Sequence, residues 1–98
     1  MRRLFQFIWV NLLFRGIIMD ITTAVRYRIL ELRQQKGITV INKLGTICGI
    51  TQSTLKNIAS GRNGATVLTL KKICDGLEID IIEFFNSDLF KNLEPEIK

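Results

Sequence analysis

Between Gly49 and Gly61 the chain reads Ile-Thr-Gln-Ser-Thr-Leu-Lys-Asn-Ile-Ala-Ser. At about 100° per residue, Gln52, Lys56, Ser60, Ser53 and Asn57 fall on one helical arc of roughly 140°. Thr54, Ile58, Leu55 and Ala59 fill the remainder. The first arc is wholly polar and holds no carboxylate. Gln and Asn make bidentate hydrogen bonds to adenine, Lys reaches O6 and N7 of guanine, and Ser is a permissive partner. A face of this kind suits the reading of base edges, and without an acid it does not repel phosphate. Plain solvation also produces short polar helix faces, so the surrounding elements must decide.

Those elements are marked by the chain's own punctuation. Asp20 is placed to cap a helix with Ile21, Val25, Ile29 and Leu32 on one face, and Gly37 to end it. Thr39 is placed to cap a second helix running through Cys48, and Gly49 supplies the next break. Thr51 caps a third helix, Thr51 to Ser60, ended by Gly61, and Asn63-Gly64 forms a loop. Thr66 opens a fourth helix with Leu70, Ile73 and Cys74 on one face, closed by Gly76. Asp80 and Glu83 form a capping box for a short fifth helix ending near Phe84 and Phe85. Alternating strand patterns are absent. The expected fold is all-α, five short helices in one bundle. A tight turn at Gly49 sets the second and third helices at a steep angle, the geometry of a helix-turn-helix. Phe84, Phe85, Leu89 and Phe90 suit either a dimer patch or the core.

Composition agrees with one small globular domain: 98 residues, 47% hydrophobic and 23% charged. The net charge of +5 is unevenly distributed. Residues 20–72 carry nine Lys or Arg against Asp20 and Glu31, a net +7, whereas residues 73–98 carry a net −5. A basic segment of this size is the footprint of a polyanion binder, or a solvated face. Cys48 and Cys74 both lie in apolar helical patterns and read as buried core residues. Two cysteines without a histidine cannot make a four-ligand zinc site, and the usual general base is missing. No metal, no cofactor and no enzymatic activity are expected.

Residues 1–18 differ from the rest. Arg2 and Arg3 precede an apolar run from Leu4 to Phe14 that includes Phe5, Phe7 and Trp9. No small-residue cleavage site follows, as a secretory signal would require. As a helix this run spans about 16 Å, roughly half a bilayer core, so a full crossing is not expected. A shallow membrane-surface contact through residues 4–14 is one reading. The other, suggested by the abrupt change in composition, makes Met19 the natural start and residues 1–18 an upstream extension. The domain is then expected over residues 19–90, with residues 91–98 as a tail.

The stretch from Leu44-Gly45 through Gly49-Ile50-Thr51-Gln52-Ser53-Thr54-Leu55-Lys56-Asn57-Ile58 to Gly61 resembles the Cro/C1-type (XRE) helix-turn-helix regulators of phages and bacteria. The resemblance covers about residues 20–86 and includes Leu70-Lys71-Lys72-Ile73-Cys74-Asp75-Gly76-Leu77 and Phe84-Phe85. It implies a five-helix, lambda-repressor-like DNA-binding domain, with Gln52, Ser53, Lys56 and Asn57 in base-facing positions. Two residues depart from the family pattern. Gly45 stands where Ala is usual, which permits close packing but weakens the helix by up to roughly 1 kcal/mol. Ile41 stands where many members carry a phosphate-binding Gln. The phosphate grip then falls to backbone N–H groups at the start of the second helix, with Thr39, Asn42 or Lys43 nearby, and to Ser60, Arg62 and Asn63.

The resemblance implies a cytoplasmic homodimer on a double-stranded operator, with half-sites about one helical turn apart, regulating transcription as a repressor. Antitoxins share this fold, so a toxin partner meeting the acidic C-terminal region is the alternative from another class. A sensory domain is not expected, because only about ten residues follow Phe85-Asn86.

Overall fold

The computed structural model describes residues 18–97 of the protein. The apolar run at residues 4–14, with its suggested membrane contact, lies outside them. The described residues form five α-helices: α1 (Ile21–Gln35), α2 (Ile41–Cys48), α3 (Gln52–Ala59), α4 (Val67–Gly76) and α5 (Ile81–Phe85). A 3-10 turn, Asp88–Phe90, follows. No named strand occurs among the described residues, and none of their helices is long and apolar enough to cross a membrane.

Four of the five helices start where a short polar side chain caps the first turn. Asp20 accepts from the Thr23 N–H at 2.7 Å, Thr51 from Thr54, Thr66 from Thr69, and Asp80 from Glu83. The exception is α2. Its cap position is Val40, one residue beyond the expected Thr39, and no side chain caps it. Thr39 is exposed just outside the helix.

The α4 end also differs from expectation. Gly76 is the last helical residue, and the left-handed position falls on Glu78, at φ 60°. The Glu78 N–H donates to Asp75 O and the Ile79 N–H to Cys74 O, which closes the helix in a Schellman arrangement. Packing explains the shift: Gly76 lies directly against Cys48 of α2, where no Cβ fits.

The core gathers one face from every helix. Ile29 and Leu32 of α1, Leu44 of α2, Leu55 and Ile58 of α3, Ile73 and Cys74 of α4, and Phe84 of α5 are all buried in one cluster. Burial of these side chains from water is the main favourable contribution to folding. Cys48 and Cys74 are both free thiols in this interior, as their apolar patterns suggested. Phe84 and Leu89 are core, which removes them from the candidate dimer patch; Phe90 is partly covered and Phe85 is 39% exposed. Phe85 packs edge-on against Phe84, ring centres 5.0 Å apart.

A second, smaller cluster of Met19, Ala24 and Leu89 ties the two ends of the described chain together. Met19 donates its N–H to Asn92 O at 3.3 Å and accepts from the Glu94 N–H at 2.9 Å. Arg28 is a buried polar link between helices. Its buried guanidinium donates to Phe84 O at 2.7 Å and Glu83 O at 2.8 Å, holding the carboxyl end of α5 against α1.

Candidate nucleic-acid interface

The turn between α2 and α3 is short because Gly49 takes the left-handed conformation, φ 67°. The Ile50 N–H then returns to Gly45 O at 3.0 Å, and Thr51 caps α3. A Cβ on Gly45 would approach Ile50 O to 3.1 Å and Leu55 Cδ2 to 3.3 Å. The departure to glycine at position 45 therefore accompanies a close contact of α2 with the turn and α3. Leu55 and Ile58 anchor the inner side of α3.

With that side fixed, Gln52, Ser53 and Lys56 are exposed along the outer side. Asn57 is half-buried, deeper than a freely solvated position. Its carbonyl gathers the end of the helix, accepting from the Ser60 hydroxyl and from the Arg62 and Asn63 N–H groups. Ser60, Arg62 and Asn63 follow as exposed residues at the carboxyl end of α3. Thr39, Asn42 and Lys43 are exposed around the start of α2. One hydrogen bond joins the two groups: Gln52 Nε2 donates to Asn42 Oδ1 at 2.8 Å. The amino ends of α2 and α3 are thereby held side by side, and Gln52 is oriented before any ligand arrives.

The electrostatics follow from the sequence and from which cations remain outside. No Asp or Glu occurs from residue 32 to residue 74, a stretch containing all of α2 and α3. Lys43, Lys56, Arg62 and Lys72 are exposed within it. The charge count of the basic segment nevertheless overstates its outer surface. Arg28 is buried against α5, and the Lys71 ammonium is paired with Asp75 one turn along α4.

Arg26 is a positioning residue that the sequence pattern did not single out. From α1 its Nε donates to Ala59 O at 2.9 Å, holding the carboxyl end of α3. Its partner lies 33 residues away, beyond the reach of any local periodicity.

Two short helices at a tight glycine turn, the second presenting an acid-free polar face from a small helical bundle, define a helix-turn-helix domain. The helix-turn-helix family model matches residues 29–84, more than half of the chain, and the protein belongs to this family, of Cro/C1 (XRE) type. The family is one of DNA-binding transcription regulators. No curated protein and no solved structure gives a significant match to the chain.

Proposed function

We propose that this protein is a sequence-specific transcriptional repressor that binds double-stranded DNA as a homodimer, with α3 in the major groove. The observation that carries this reading is the exposed, acid-free face of α3 beside an α2 start that no side chain caps. Gln52, Ser53, Lys56 and Asn57 read base edges, with Gln52 oriented by Asn42. The first-turn N–H groups of α2 receive a backbone phosphate, replacing the side-chain clamp that Ile41 does not supply. Thr39, Lys43, Ser60, Arg62 and Asn63 flank that phosphate track on both sides of the reading helix. Two copies engage half-sites about 34 Å apart and occlude a promoter in the cytoplasm.

The test starts with selection from randomised duplexes, followed by anisotropy titrations on the selected site. Lys56→Ala and Gln52→Ala are each expected to weaken specific binding by about 1–3 kcal/mol, roughly five- to 150-fold, with unchanged helical content. Arg62→Ala is expected to weaken all sequences alike and to lower the salt slope by about 1. Selection of no site, or wild-type affinity in both α3 variants, would remove the reading.

A further inference from the structure

Behind α3 lies a cleft of about 380 Å³, walled by α1, the start of α2 and the inner side of α3. Leu30, Ile41, Ile58 and Ala59 make much of its wall apolar, while Arg26 and Arg33 bring two guanidinium groups to it. No carboxylate is among the lining side chains. Arg33 Nε is shut off from solvent and has no hydrogen-bond partner. A charged donor shut off from water without an acceptor is unfavourable, while Arg33 as a whole is only partly covered and lines the cleft. Arg26 is held at the same cleft by its bond to Ala59 O.

We propose that this cleft binds a small organic anion: a carboxylate head at Arg33, with an apolar body against the aliphatic wall. The volume lies near the small end of ligand pockets, and a few placed polar groups in an apolar lining are their usual make-up. A carboxylate supplies an acceptor to the guanidinium groups that line the cleft and matches their planar geometry. The apolar lining selects for an aliphatic or aromatic body over a bare inorganic anion, and over a hydrated backbone phosphate of DNA. The site goes beyond the DNA-binding reading and stands on the free protein.

Full-length protein is melted in rising sodium hexanoate or sodium benzoate, with hexanol and inorganic phosphate as probes of tail alone and charge alone. At least one carboxylate is expected to raise Tm saturably, by the linkage between ligand concentration and stability, at tenfold lower concentration than hexanol or phosphate. NMR shifts should move at Ile58 and Ala59. Arg33→Met keeps the apolar stem and should shift the response at least tenfold toward higher ligand. Ala59→Glu places a carboxylate inside the cleft, and should raise Tm without ligand while abolishing the response to it. A flat response to both carboxylates overturns the proposal. So does phosphate acting as strongly as they do, or an undiminished response in Ala59→Glu. The melts contain no DNA, so their outcome is independent of the DNA-binding test.

Discussion

Replacing Gly76 by alanine tests whether the contact of α4 with α2 sets the position of the helix-turn-helix. A Cβ at position 76 would overlap Cys48 Sγ and come within 3.1 Å of Cys48 Cα. The thiol can rotate, but the Cα can retreat only if α2 shifts. Two effects oppose each other. Alanine in place of a helical glycine favours folding by about 1 kcal/mol. Overpacking a closed interior costs about 1–3 kcal/mol, toward the upper end when backbone must move. The net expectation is a loss of about 1–2 kcal/mol, a fall in Tm of about 5–15 °C for a domain of this size. Gly49→Ala is the contrasting case, because its Cβ would meet nothing within 4 Å. Only the left-handed backbone opposes that change, at about 1–2 kcal/mol. Urea titrations followed by far-ultraviolet circular dichroism measure both variants. In a double-mutant cycle, Cys48→Ala should recover part of the Gly76→Ala loss and leave a coupling of at least about 1 kcal/mol. No such recovery is expected with Gly49→Ala. A Gly76→Ala protein as stable as wild type would refute the steric account.

Arg28→Met retains much of the apolar stem but removes both hydrogen bonds to the α5 carbonyls. With charged donors at about 1.5–3 kcal/mol each, a loss of about 3 kcal/mol in urea unfolding is expected, and no loss would mean that α5 docks by packing alone. Burial pushes the Cys48 and Cys74 thiols above their ordinary value of 9.0. The folded state therefore holds protons that the unfolded state releases above about pH 9, so this contribution is complete below pH 9 and declines as pH rises through the folded values. Stability measured from pH 8 to pH 11 should fall less steeply in Cys74→Ala than in wild type, and an identical slope would contradict the burial argument.

The helical framework was legible because its signals are local. Asp20, Thr51, Thr66 and Asp80 cap where a short oxygen-bearing side chain precedes an apolar period, and Gly49 supplies the turn. Illegible features depend on contacts distant in sequence. Thr39 has the right chemistry for a cap, but the helix begins one residue later, at a point marked by no residue type. Gly76 looked like a helix terminator because glycine serves both left-handed turns and close packing. Its neighbour Cys48 lies in another helix, so only the fold decides between the two roles. Phe84 and Leu89 could not be divided between core and surface from apolar spacing alone.

The arginines carry the same ambiguity into the functional site. Counted along the chain, Arg26, Arg28 and Arg33 add three charges to a polyanion-binding footprint. In space Arg28 fastens α5, Arg26 fastens the end of α3, and Arg33 lines the cleft behind α3. Their long apolar stems let them do this, Arg28 from a buried position on α1 and Arg26 and Arg33 from partly covered ones. The cations left on the outer surface beside the reading helix are then few: Lys43, Lys56 and Arg62 chief among them. A footprint of that size places more of the phosphate grip on backbone N–H groups, which carry no net charge and release no counterions of their own. The salt slope should therefore follow the outer cations on the phosphate track rather than the net charge of residues 20–72, with Lys43 and Arg62 each contributing about 1.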